Sequence, residues 1–348
     1  MKILVIGAGA IGSIMAAFMA QAGEDVTLVC KHRETADRAN GQGLHITGIQ
    51  GDHWIRVNAV TEIEEVEGNF DACLIVTKAY DMPDAARRVL PHLTPESMVV
   101  SMQNGICLEK LAEIVGRNRV VGCMMGFGAT MTGRGEAEMT STGDLVIGTM
   151  DGMVTDSLKA LATALGKVTR TQTTTHIYEQ LYSKLIVNSC ITSLGAICGL
   201  KLGEMMRRGD ARRIFLNIID EAVRIARAMK LNLPPYGGKL DYYALMKGDR
   251  WTDDFRRHAT IFVVGLKYRN LKSSSLQSLE RGQRTEVDSF NGYLADMGRQ
   301  MRVSCPVNRR LVQMVHEIEE GKREISLKNL EDPVLQGEKN VKRAGKHR

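Results

Sequence analysis

Ile3-Leu4-Val5-Ile6-Gly7-Ala8-Gly9-Ala10-Ile11-Gly12 decides the fold of this chain. Four apolar residues, three of them β-branched, read as a strand. They run into a G-x-G-x-x-G turn, and a helical pattern follows over 10–22. In that setting the first glycine permits the tight turn and the second lets backbone approach a pyrophosphate. The third lets the helix pack on the strand, so that the helix N-terminus faces the phosphates. Gly7, Ala8, Gly9, Ala10, Ile11 and Gly12 are therefore candidate cofactor-binding residues. A merely tight turn is the alternative, and the strand before and the helix after favour a dinucleotide.

Outward from this turn, Val26–Val29, Ala72–Val76, Met98–Met102 and Val120–Cys123 are further short apolar runs. They alternate with helical stretches near 33–41, 81–91 and 107–115, an arrangement that implies parallel pairing. The strand-like stretch from Leu44 to Val57 predicts an inserted hairpin. The glycine-punctuated segment from Gly126 to Gly152 predicts two edge strands that close the first domain. Thr169–Thr175 reads as a polar linker, and helical patterns follow near 177–200, 208–230, 253–268, 279–300 and 307–321. The predicted class is α/β: a Rossmann-type doubly wound parallel sheet over residues 1–168, an all-helical domain over 169–325, and a basic, mobile tail over 326–348.

The chain has 348 residues, 44% hydrophobic and 25% charged, which fits two folded domains and excludes a fibre, a disulfide mini-protein or a disordered chain. No run of about 18 uninterrupted apolar residues is present, so no membrane span is expected. The N-terminus reads as a strand and not as a secretory signal, which predicts a cytoplasmic protein. Net charge is +6, but Lys339, Lys342, Arg343, Lys346 and Arg348 against Glu338 place +4 of it in the last twelve residues. The rest carries no basic stripe interleaved with aromatics, so a nucleic-acid partner is not expected. The seven cysteines lack any C-x-x-C pair and the eight histidines are scattered, so neither disulfides nor a metal are expected.

The tip of the second strand, Val29-Cys30-Lys31-His32-Arg33, has no carboxylate for a ribose 2′-hydroxyl. Lys31 and Arg33 would instead hold a 2′-phosphate through charge-assisted bonds, which predicts NADPH; a solvated helix start is the alternative. Thr77-Lys78 and Gln103-Asn104-Gly105 interrupt apolar runs at two successive strand ends, where a dinucleotide would lie. In the long apolar stretch 177–200, Lys184, Asn188 and Thr192 fall at i, i+4 and i+8 and make one polar stripe. A lysine there could polarise a ketone oxygen and donate a proton to it, or could snorkel from a helix rim. Ser273-Ser274-Ser275 precedes Arg281 to Glu286 and reads either as a helix cap or as substrate and ribose contacts.

Taken in order, these pieces resemble the ketopantoate reductase family. The resemblance runs from Gly7 to about Ile318 and rests on the Gly7–Gly12 turn, Val76-Thr77-Lys78-Ala79 and Gln103-Asn104-Gly105. It rests further on Lys184-Leu185-Ile186-Val187-Asn188, Ser273-Ser274 with Leu276-Gln277, and Arg284-Thr285-Glu286-Val287-Asp288 followed by Asn291-Gly292. It implies NADPH-dependent reduction of a 2-keto acid to a 2-hydroxy acid in pantothenate and coenzyme A biosynthesis. Lys184 would be the proton donor, and Glu286 would contact the cofactor ribose and the substrate hydroxyl. Asn104 would touch cofactor and substrate, and Lys78 the cofactor, with Gly128 as a small residue against it. Asn188 and Ser274 would bind substrate, with Thr192 beside them on the stripe.

The chain departs from the family pattern at Thr192, Leu202 and Leu271, where asparagines are common, and at Ser278, where aspartate is usual. These departures keep open a different branched or aromatic 2-keto acid. A non-catalytic dinucleotide sensor is a third reading. The apolar helices of the second domain leave both a core and a homodimer interface open.

Overall fold

The computed structural model describes residues 1–337, and the chain divides into two compact units, Met1–Leu181 and a second that begins at Tyr182. In the first, β1 (Lys2–Ile6) leads through the glycine turn into α1 (Ala10–Gln21), and β2 (Asp25–Val29) leads into α2 (Arg33–Asn40). A hairpin of β3 (Leu44–Gly48) and β4 (His53–Ile55) follows, then β5 (Asn58–Val60) and β6 (Phe70–Ile75). Next come α3 (Met82–Arg88), β7 (Leu93–Ser101), α4 (Leu108–Val115) and β8 (Val120–Met125). β9 (Gly128–Gly133), β10 (Glu136–Ser141), β11 (Leu145–Thr149), α5 (Asp156–Leu165) and β12 (Thr171–Thr173) complete the unit.

The main sheet has the order β12-β11-β8-β7-β6-β1-β2-β5 and is parallel except where β11 runs against β8. The chain order reverses at β1, which pairs with β2 on one side and β6 on the other. That is the switch point beyond whose carboxyl ends open α/β sheets bind ligands. Ile3, Leu4, Val5, Leu28, Leu74 and Val100 are fully buried, as strands covered on both faces require.

Two expectations change in this unit. The segment from Gly126 does not simply extend the sheet edge. β9 and β10 join the β3–β4 hairpin in a separate sheet, β4-β3-β10-β9, and only β11 enters the main sheet. Thr169–Thr175 is not a linker, because Thr171–Thr173 pairs with β11 as an edge strand, so residues 169–181 belong to the first unit. β-Branched threonines suit a strand, and their polarity suits an exposed edge.

The second unit is helical among the described residues. α6 (Ile177–Cys198) continues into it and is followed by α7 (Leu202–Arg207), α8 (Gly209–Ala228), α9 (Tyr242–Leu245) and α10 (Trp251–Lys267). α11 (Ser274–Glu280), a π-helical turn (Asp288–Gly292), α12 (Tyr293–Gln300), α13 (Pro306–Glu319) and α14 (Pro333–Gln336) complete it. α6 is long and apolar enough by length and composition to cross a membrane, with a mean hydropathy of 1.3 over its apolar window, but 83% of that window is buried within the chain, as in a core helix. The single helix expected over 279–300 is broken: Gly282 turns at φ +63° and the π-turn intervenes before α12. The segment 326–337, expected to be mobile, is folded, with Leu330 and Leu335 fully buried and the Asn217 amide donating to the Leu335 carbonyl at 2.8 Å. The basic residues from 338 onward lie outside the described residues.

Candidate active site

Each unit carries its own cluster of candidate residues. In the first, Gly7 sits at φ +110°, where an L side chain is strained, and its NH donates to the Val29 carbonyl at 3.1 Å. A Cβ on Gly12 would lie 1.9 Å from the Gly7 carbonyl oxygen, so helix and turn meet there with no room for a side chain. A Cβ on Gly9 would meet nothing within 4 Å. The first and third glycines are thus explained by the protein's own packing. The second keeps backbone open to an incoming group. α1 has no acidic residue in its first turn, which leaves its partial positive N-terminus to an anion.

Around this cradle, Ala8, Ala10 and Ile11 are half-buried, and Lys31 and Arg33 are exposed at the end of β2 and the start of α2. Burial pushes the Cys30 thiol, between β2 and Lys31, up to about 12, so it is a neutral core group and no nucleophile. At the end of β6 the Thr77 hydroxyl is buried without a hydrogen-bond partner, beside the Gly7 turn, where a Gly7 Cβ would touch the Thr77 nitrogen at 3.2 Å. An unsatisfied polar atom at that strand end fits a missing polar ligand. Lys78 and Asn104 are exposed on the two strand-end loops.

Gln103 serves a different purpose from its neighbour. It is buried, donates to the carbonyls of Ile75 (2.7 Å) and Thr77 (3.3 Å), accepts from the Ser101 hydroxyl, and so ties the ends of β6 and β7 together. Gly128 opens β9, where a Cβ would come within 2.7 Å of the Ser141 hydroxyl, so its smallness has a packing cause inside the second sheet. The residues present fit a dinucleotide: a glycine cradle at the switch point, an anion-accepting helix start, and two cations at the tip of β2.

In the second unit, Lys184 and Asn188 are half-buried on α6, flanked by fully buried Leu185, Ile186 and Cys190. Thr192 is 6% exposed and donates its hydroxyl proton to the Asn188 carbonyl at 2.7 Å, which leaves it only acceptor capacity toward a ligand. Ser273 is the helix cap, since its oxygen accepts from the Leu276 NH at 3.0 Å, whereas Ser274 is exposed. Glu286 is buried in a segment that α13 grips on both sides. The Glu319 carboxylate accepts from the Thr285 NH at 2.7 Å, and the His316 ring bonds Asp288 at 2.8 Å and Glu319 at 3.0 Å. Burial disfavours the charged imidazole of His316, but the bonds to Asp288 and Glu319 outweigh it and hold its pKa above the usual histidine value. Of the departing positions, Leu202 is fully buried, Leu271 is exposed and Ser278 is half-buried.

A buried polar chain behind α6 escaped the sequence reading. Ser193 donates to Asn291, which donates to the Ser189 carbonyl (3.2 Å) and to Asn308 Oδ1 (2.8 Å). Asn308 in turn donates to Glu221, whose carboxylate also accepts the Val307 and Asn308 NH groups and so caps α13. The available signal was Glu221 itself, a carboxylate between Ile218, Ile219, Ala222 and Val223 on the apolar side of a helix.

Comparison with known proteins agrees with this architecture. Two family models, described as ketopantoate reductase PanE/ApbA and ketopantoate reductase PanE/ApbA C terminal, match residues 3–152 and 176–319. The 2-dehydropantoate 2-reductase of Aquifex aeolicus is 28% identical over 321 residues, covering 90% of this chain and 96% of that protein. The PanE/ApbA family ketopantoate reductase structure from Ralstonia eutropha JMP134 superposes with a TM-score of 0.79 at 26% identity, over 92% of this chain and 99% of that one. D-mandelate dehydrogenase, solved with NADH and anilino(oxo)acetate, shares the fold at a TM-score of 0.78 and 22% identity, over 92% of this chain and 99% of its own. With a dinucleotide cradle in its first unit and the lysine-bearing helix in its second, the chain belongs to the ketopantoate reductase family.

Proposed function

We propose that this protein uses NADPH to reduce 2-dehydropantoate to pantoate, the step that serves pantothenate and coenzyme A biosynthesis. The observation that carries the reading is the half-buried Lys184 and Asn188 on one stripe of a helix, among fully buried Leu185, Ile186 and Cys190. An ammonium group half-buried there is partly desolvated, which strengthens its interaction with a developing negative charge on a bound ligand. When bound, the nicotinamide cofactor supplies the hydride. Lys184 holds the proton at its Nζ and delivers it to the ketone oxygen as negative charge develops there. Asn188 and Ser274 orient the substrate, Asn104 contacts both substrate and cofactor, and Glu286 accepts from the substrate hydroxyl and the cofactor ribose. Gly7 to Gly12 and Lys78 hold the dinucleotide, and Lys31 with Arg33 select the 2′-phosphate.

A second reading changes only the substrate. Thr192 offers no donor beyond the one spent on Asn188, and Leu202 is apolar and buried, which favours a less polar branched or aromatic 2-keto acid. Initial rates of NADPH oxidation with 2-dehydropantoate and a panel of 2-keto acids, repeated with NADH, separate the two. Fast, NADPH-selective turnover of 2-dehydropantoate supports the first reading, and turnover of another acid alone moves the substrate. Silence across the panel despite tight NADPH binding would mean a dinucleotide sensor.

A further inference from the structure

Asn291 is completely buried, yet it lies in the same segment as Glu286 and touches the helix that carries Lys184. It sits in the π-helical turn, where one extra residue per turn lets two successive side chains, Phe290 and Asn291, both point into the core. Its side chain uses one acceptor and both donors. It accepts from the Ser193 hydroxyl and donates to the Ser189 carbonyl and to Asn308 Oδ1.

Ser189 and Ser193 are the residues immediately after Asn188 and Thr192. The clamp therefore grips α6 on a row beside its polar stripe, one helical turn apart, and resists rotation of α6 about its axis. Its far end is anchored through Asn308 to Glu221, all at 0–2% exposure, where no water competes for the bonds.

We propose that Asn291 is a positioning residue for the reduction, fixing the rotational setting of Lys184 and Asn188 relative to the Glu286 segment. The proposal rests on the reading of Lys184 as proton donor. Misplacing that donor by a fraction of an ångström lowers kcat without touching dinucleotide binding.

The test is a double-mutant cycle on the full chain, with kcat and KM corrected for folded fraction and the NADPH Kd measured alongside. Asn291→Ala is expected to lower kcat roughly 10- to 100-fold, and Ser193→Ala, which removes one bond and little volume, roughly 2- to 10-fold. Both leave the NADPH Kd within about twofold. On a Lys184→Ala background either change lowers kcat by clearly less than it does in wild type, because the proton donor is gone and only the setting of Asn188 is left to disturb. A purely structural role would lower Tm and leave kcat per folded molecule unchanged, or would add fully to Lys184→Ala, and either result overturns the proposal. If Asn291→Ala does not fold, Ser193→Ala carries the same test. A wild type silent on every keto acid would bring down the reductase reading and this proposal with it. A turning-over wild type whose Ser193→Ala and Asn291→Ala variants match it would overturn the positioning role alone.

Discussion

In the first unit the candidate residues act through backbone: a turn at φ +110°, a glycine with no room for a methyl group, and another whose Cβ would meet no atom within 4 Å, all within six residues. In the second unit it is made of side chains drawn from distant stretches. Ser193 meets Asn291 across 98 residues of sequence, and Asn308 meets Glu221 across 87. The contrast separates two kinds of vulnerability. A backbone site fails where a Cβ is added and tolerates change elsewhere, whereas a side-chain site fails wherever a remote hydrogen bond is lost.

The largest effect expected on this contrast is that of Lys184→Ala, which should lower kcat by on the order of 10²–10⁴ if proton donation is lost. An unaltered kcat would place the proton donor elsewhere.

Next come the glycines, whose surroundings differ sharply. Gly12→Ala should destabilise the protein by roughly 1–3 kcal/mol through overpacking against Gly7 and also weaken dinucleotide binding. Gly9→Ala should leave Tm unchanged, since its methyl meets no protein atom, yet raise the cofactor Kd roughly tenfold or more by crowding the phosphates. Thermal melts and NADPH titrations read both, and a Gly9→Ala protein that binds normally would break the cradle assignment.

A smaller change is expected at the tip of β2. Lys31→Ala or Arg33→Ala should each weaken NADPH by roughly tenfold and leave NADH nearly unaffected, because only the 2′-phosphate loses a charge-assisted bond. Equal losses for the two cofactors would count against NADPH selectivity.

The smallest effect is a pH dependence in the second unit. With its pKa raised in the folded state, His316 contributes stability that is fully present below its unfolded value, about 6.5, and is lost as pH rises through the raised value. The Tm gap between wild type and His316→Gln should therefore be widest near pH 6 and close toward pH 9. A gap that widens with pH would contradict the bonds to Asp288 and Glu319.

The same contrast governs what could be read from sequence. The β1–turn–α1 unit was legible because its chemistry is local, one glycine pattern between a strand and a helix. The polar stripe was legible too, since Lys184, Asn188 and Thr192 share a helix and its period. What failed depended on tertiary partners. Thr171–Thr173 looked like a linker until β11 supplied a pairing edge, and 326–337 looked like a tail until Leu330 and Leu335 found the core. Asn291 and Asn308 gave no sequence signal for their contact, because hydrogen bonds between residues far apart in sequence leave no periodicity. Ser273 was resolved in favour of its local reading, a cap on α11.

The proposed division of labour has the first unit hold the dinucleotide and Lys184 supply the proton. It is tested most directly by titrating NADPH into Lys184→Ala and wild type while measuring kcat on the best substrate in the same preparations. The expected result is an NADPH Kd within about twofold of wild type and a kcat lower by on the order of 10² or more. A variant that loses cofactor affinity in step with turnover, or that keeps full turnover, would contradict it.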